Sequence, residues 1–201
     1  VIPVTPAGEP TTFHAKVRQP GTEWLAAKGY LGLPSFPPGT KVKPIWREAL
    51  KELMTAYDSV CAYSSLRIAP VTGAASVDHF APKSRAPAQT YEWSNYRLAC
   101  AKMNARKNNF TNVLDPFSLA AGTFELIVGN GGIRPAPSLS GAARAAAKDT
   151  IRRLKLDDPE MRKARLSKID DYLACEFSTA FLLKESPFIH SELARLGLLR
   201  P

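Results

Sequence analysis

The sequence predicts a mixed α+β chain, and three observations make that prediction. Two short strand-like runs, residues 64–68 and 76–80, flank the turn-forming "APVTG". A helical stretch follows over 95–109, where Leu98, Met103 and Ala105 sit among good helix formers. The last third is dominated by helix-period, alanine-rich sequence after one glycine-turned hairpin.

Taken in order, residues 1–43 are rich in proline and only weakly periodic, so they read as an extended N-terminal arm that ends in the stiff connector "SFPPGTKVKP". Ile45, Ala49, Leu53 and Tyr57 then recur at helical spacing, and Trp46, Leu50 and Met54 widen the apolar stripe. The hairpin of 64–68 and 76–80 comes next. Prolines in "APKSRAPAQTYEWS" break both strand and helix, which makes 81–94 a loop. After the helix over 95–109, "TFELIVGNGGI" reads as strand, glycine turn and return strand. "GAARAAAKDTIRRLKL" reads as helix. The run from 158 to 185 starts with Asp158 as N-cap and Pro159 at the first helical position. Leu166, Ile169, Leu173, Phe177 and Ala180 supply its apolar face, with Cys175 beside them as a core residue, and "FIHSELARLGLL" forms a short last helix. The domain reading is therefore an arm over 1–43, a core with its preceding helix over 44–118, and a β-hairpin with helices packed on that core over 119–201.

Composition narrows the function classes. The 27 Lys and Arg against 18 Asp and Glu leave a formal charge of +9, a balance that favours a polyanionic partner, most often nucleic acid. No apolar run approaches the length of a membrane span. The N-terminal residues lack the charged-then-apolar order of a secretion signal. Three cysteines are too few for a disulfide scaffold and fit a reducing cytoplasm, where the chain is expected to act.

The chemistry gathers between 76 and 109. Asp78 and His79 stand side by side in "SVDHFAPKS", followed by Asn95 in "YEWSNYRLAC" and Asn104 in "AKMNARKNN". Lys107 and Asn108 follow Asn104 at i+3 and i+4, so all three can share a helical face. In order, spacing and residue type, with nine residues from Asn95 to Asn104, this resembles the HNH endonuclease motif. The resemblance implies a ββα-metal core, here embedded in a mainly helical domain. His79 is then the first member, Asn95 the middle one and Asn104 the last. An imidazole that titrates near neutral pH suits proton abstraction from water. The Asp78 carboxylate and the Asn104 amide offer hard oxygens, which suit Mg²⁺ or Mn²⁺. Neighbouring strand residues point to opposite sides, so Asp78 can face the helix of Asn104 while His79 faces the attacking water. By the resemblance, the Asn95 amide ties the loop that positions His79, and Asn108 is a further metal ligand.

"CAYS" and "CAKM" retain one cysteine each, Cys61 and Cys100, of the CxxC pairs that hold structural zinc in many HNH proteins. Two thiolates do not make a closed tetrahedral site, so no structural zinc is expected. "HFAPKS" and "YEWSNYRLAC", with the later "VLDPF", are similar to HNH effectors of Septu and retron-type anti-phage systems. That similarity implies antiviral defence and an ATPase as companion protein. From Lys83 to Lys107 there are six basic residues and only Glu92 opposes them. Lys83, Arg85, Lys102, Arg106 and Lys107 are the candidate DNA contacts, with Lys107 also able to pair with Asp78. Tyr91 and Trp93 read as core. The leading expectation is a metal-dependent DNA endonuclease. A module that keeps the fold without turnover, or an RNA-cleaving toxin, is the alternative.

Overall fold

The computed structural model describes residues 2–200. Among them are seven α-helices and two antiparallel two-stranded sheets, a mixed α+β fold. The chain forms two compact units. One comprises Pro6–Ser59 and Ala69–Thr111. The other comprises Val1–Thr5, Val60–Ile68 and Asn112–Pro201, taken over the described residues. Among the described residues no helix is long and apolar enough to cross a membrane.

The unit of Pro6–Ser59 and Ala69–Thr111 starts with a correction to the extended arm. A π-helical turn at His14–Arg18 runs into helix α1, Gln19–Ala27. Phe13, Val17, Gly21 and Leu25 are buried at four-residue intervals. That stripe is easy to overlook because glycine occupies one of its positions and prolines surround it. The segment before α1 is also tied down. The Trp93 indole donates to the Ala7 carbonyl at 2.9 Å, and the Arg18 guanidinium pairs with Glu9 and, at 2.9 Å, with Glu92. A 3₁₀ turn at Ile45–Ala49 then leads into α2, Leu50–Ala56, in the place the apolar periodicity gives.

Strand β1, Ala75–His79, lies where the sequence puts it, but its partner does not. β1 pairs antiparallel with β2, Tyr96–Cys100, with His79 opposite Tyr96, Asp78 opposite Arg97 and Val77 opposite Leu98. The stretch read as the start of a helix is therefore a strand, and α3 begins only at Ala101 and ends at Lys107. Tyr96, Arg97, Leu98 and Ala99 are all buried, and a strand covered on both faces loses the alternation that would reveal it. Residues 64–68 form no hairpin with β1. Ser65 takes a left-handed φ of 55°, which ends any extended run, and only Arg67 makes an isolated bridge, to Val60. Helices α2 and α3 both pack on the β1–β2 pair. Tyr91 and Trp93 are buried, as expected of core residues.

In the other unit, β3, Phe124–Ile127, pairs with β4, Gly132–Pro135, across a turn in which Gly131 has a φ of 64°. Four helices follow: α4, Gly141–Leu154; α5, Pro159–Leu173; α6, Thr179–Glu185; and α7, Pro187–Arg195. Asp158 caps α5 by accepting from the Met161 N–H at 2.8 Å, with Pro159 at the first helical position. The single apolar face expected over 158–185 is broken. Cys175 leaves the helix with a φ of 65° and is exposed, as are Leu173 and Ala180, so Cys175 is not a core residue. The buried stripe of α5 is instead Met161, Arg165, Ile169 and Tyr172. Arg165 belongs there because its guanidinium donates to the carbonyls of Gly131 at 2.6 Å and Leu156 at 2.5 Å.

Gly21 marks the closest approach in the first unit. A Cβ on it would fall into the buried Tyr91 ring and 2.7 Å from the Tyr91 Cβ. Gly21→Ala gains about 1 kcal/mol of helix propensity, but overpacking against a fixed ring costs about 1–3 kcal/mol or more. Because the collision is deep, the variant is expected to lower the urea midpoint, read by tryptophan fluorescence.

Candidate functional site

Strand β1, the loop after it and helix α3 enclose an open cleft of about 510 Å³ that Asp78, His79, Lys83, Asn104 and Asn108 help to line. His79 is only 4% exposed. Its Nε2 lies 2.8 Å from the Thr90 carbonyl oxygen, which can only accept, so Nε2 carries the proton and donates. Nδ1 is left with a lone pair, 3.5 Å from the Lys83 Nζ. The imidazole stands edge-on to Trp46 and to Tyr96, each with ring centres 5.0 Å away. Burial first, then the Lys83 and Lys107 ammonium groups, lower the pKa of His79 to about 3, against the opposing pull of the Thr90 carbonyl. The ring is thus neutral at pH 7. Burial likewise lowers the pKa of Lys83, helped by Lys107 and opposed by Asp78. The Lys83 ammonium sits 4.6 Å over the Trp46 ring.

Asp78 is 2% exposed, and its Oδ2 is 3.6 Å from the Lys107 Nζ. Lys107 is fully buried and donates to the carbonyls of His79 and Phe80, each at 2.6 Å. This corrects its expected place among the DNA contacts: it is an internal cation spanning α3 and the end of β1. Arg97 is internal too, donating to the Ser94 and Tyr96 carbonyls with its guanidinium against the Phe80 ring. Of the other basic candidates, Arg85 and Lys102 are exposed, while Lys83 and Arg106 are half-buried.

The two asparagines act on backbone. Asn95 is buried and its Oδ1 accepts from the Ala81 N–H at 2.8 Å. Its Nδ2 donates to the carbonyls of Ala81 at 3.1 Å and Gln89 at 3.0 Å. It closes the loop that presents Thr90 to His79. Asn104 donates through Nδ2 to the Ser76 hydroxyl at 3.2 Å and the Val77 carbonyl at 3.3 Å, which binds α3 to β1. With the nitrogen committed, the Asn104 Oδ1 is the atom it can offer to a cation. Asn108 does not share a helical face with Asn104 and Lys107. It caps α3 with a φ of 45° and ψ of −132° and is exposed at the cleft.

Among the described residues no three His, Cys, Asp or Glu side chains come together to hold a metal. The atoms that fit a hard divalent ion are the Asp78 carboxylate and the Asn104 Oδ1, a pair that leaves most of the coordination shell to water or a phosphate oxygen. Cys61 is buried and Cys100 half-buried. Sequence reasoning missed Trp46, Thr90 and Tyr96. Thr90 contributes a backbone carbonyl, which no residue type announces, and Trp46 and Tyr96 read as ordinary apolar positions. No model of a known protein family matches the chain, and no curated protein matches it significantly.

Two outcomes test this geometry. Removing the Asn95 amide strands buried backbone groups, so Asn95→Ala should lower stability by about 2–4 kcal/mol. It should also release the Ala81 amide to fast hydrogen exchange. The second concerns pH. An unfolded histidine binds a proton near its ordinary value of 6.5, whereas folded His79 resists until about 3. Stability is therefore fully present above 6.5 and lost as pH falls from there towards 3. His79→Gln should flatten that part of the acid limb in urea titrations at stepped pH, and an unchanged slope would contradict the buried neutral ring.

Proposed function

We propose that the cleft is a metal-dependent endonuclease site of HNH type acting on DNA. The observation that carries this reading is the state of His79. Its Nε2–H is committed to Thr90, which leaves the Nδ1 lone pair, 3.5 Å from the Lys83 ammonium, in a cleft that Asp78 and Asn104 also line. The order β1, loop, β2, α3, with Asn95 closing the loop, supports the same reading.

In this reaction the His79 Nδ1 takes the proton of a water whose oxygen forms the new bond to phosphorus. The bond from phosphorus to the leaving deoxyribose oxygen breaks with its electron pair, and that oxygen takes up a proton from solvent. Lys83 swings from Nδ1 towards the phosphate, since water must occupy the place its ammonium now holds. A bound Mg²⁺ or Mn²⁺ would neutralise charge on the phosphate and on the departing oxygen. Asp78 and Asn104 are the residues to hold it, with Asn95 positioning His79 rather than reacting.

The test is plasmid cleavage with Mg²⁺ or Mn²⁺, with EDTA, and with His79→Ala beside the parent. Loss of a general base should reduce cleavage by about 10²–10⁴-fold, and EDTA should abolish it. Circular dichroism establishes that the variant is folded. Cleavage that survives His79→Ala would refute the assignment. A folded parent that binds DNA but never cuts it would favour a binding module. Faster turnover of a labelled RNA competitor would favour RNA as substrate.

A further inference from the structure

Beside the cleft, in contact with its lining residues His79 and Lys83 but not itself part of the lining, lies a segment outside the 76–109 motif. The 3₁₀ turn Ile45–Ala49 brings Trp46 into edge-on contact with His79 at 5.0 Å and under the Lys83 ammonium at 4.6 Å. Trp46 also stacks on Tyr91, with ring centres 6.3 Å apart and planes inclined by 30°. The Tyr91 hydroxyl in turn donates to the Lys43 carbonyl at 2.8 Å. The short run "KVKPIWR" over 41–47 is thus held next to His79 by the Trp46 ring and to the core residue Tyr91 by the Lys43 carbonyl. Its basic side chains, Lys41, Lys43 and Arg47, are all exposed. None of them forms an ion pair among the described residues, and no acid falls between them; the first is Glu48.

An exposed run of three unneutralised cations, held against a buried imidazole by aromatic packing, is a poor place to store charge for stability. Lys107 and Arg97 show how this unit treats a cation that serves the fold: it is buried and given carbonyl acceptors. The three on 41–47 have no such acceptors and are free to meet anionic oxygens from outside. Accepting the nuclease reading on which this rests, we infer that 41–47 is a phosphate-binding wall of the DNA path. It grips the substrate backbone on the Trp46 side of the cleft, while Arg85 and Lys102 serve the loop and helix side. The contact is with phosphate and so independent of sequence.

The experiment measures binding of the full chain to a short fluorescein-labelled DNA duplex by anisotropy, in EDTA, over a series of salt concentrations. One variant carries Lys41→Ala, Lys43→Ala and Arg47→Ala. A second removes the same charge elsewhere, with Lys28→Ala, Lys148→Ala and Lys163→Ala, all exposed positions. Each phosphate contact contributes about 0.9 to the slope of log affinity against log salt. The wall variant should therefore bind at least about tenfold more weakly with a slope shallower by roughly 2–3, while the control keeps the parent slope to within about 1. Equal losses in the two variants would mean that only net charge matters, and would overturn the inference. Metal-dependent cleavage by the same proteins separates the two ideas. A parent that cleaves, with a wall variant that binds like the parent, refutes the wall and leaves the nuclease. Binding lost in the wall variant alone, with no cleavage by any protein, upholds the wall and refutes the nuclease. A parent that binds no DNA refutes the wall.

Discussion

The buried ammonium of Lys107 is the interaction on which the rest of the site depends. Taking a lysine out of water is costly unless charge and hydrogen bonds are returned to it. Here the return comes from the His79 and Phe80 carbonyls and from the Asp78 carboxylate. All three acceptors lie on one short stretch of chain, so a single cation fixes where β1 ends, how its last carbonyls turn and which way Asp78 faces. Its place at the last residue of α3 adds a favourable interaction with the negative end of the helix dipole. Removing it would take a cation from beside the buried Asp78 carboxylate and a donor from two carbonyls at the end of β1.

From that junction the constraints pass outward in sequence. Asn104 fastens α3 to β1 through Ser76 and Val77. Asn95 closes the loop after β1 by bonding both ends of it, Ala81 and Gln89, and the next residue along, Thr90, supplies the carbonyl that decides the His79 tautomer. Each asparagine uses amide groups where a longer or charged side chain would not satisfy the same mixture of donors and acceptors. The tautomer of His79 is therefore set by a loop that Asn95 holds closed. Trp46 and Tyr96 complete the box with rings edge-on to the imidazole, and the Tyr96 hydroxyl donates at 2.9 Å to the same Thr90 carbonyl.

Much of this was readable in the sequence because it is local. Asp158 and Pro159 announce α5 by cap chemistry alone, and the glycine turn between β3 and β4 needs only nearest neighbours. Asp78, His79 and Asn104, which stand out in the sequence as polar residues, do line one cleft. What was misread depends on distant packing. β2 contains Leu98 and Ala99, good helix formers, and becomes a strand because β1 and the two helices cover it on both faces. Helix α1 hides behind Gly21, whose lack of a side chain makes sense only once Tyr91 is seen against it. Lys107 reads as a surface charge until its carbonyl acceptors, contributed by residues 27 and 28 positions away, are known.

In the proposed reaction the electrostatics of the cleft suit a site that waits for an anion. A general base works best with a pKa near the working pH, and a value near 3 is far below that. The causes of the low value are burial and the two neighbouring ammonium groups, Lys83 and Lys107. Lys107 is held by two carbonyls, whereas Lys83 has a flexible stem, a 3.5 Å contact to Nδ1 and a cation–π contact to Trp46. In the proposed reaction a phosphodiester entering the cleft brings negative charge that draws Lys83 off the imidazole. That charge and the removal of the cation both favour the protonated ring. The basicity of His79 would then rise when substrate is present and fall when it leaves, so that the same cations that attract a phosphate keep the empty site quiet.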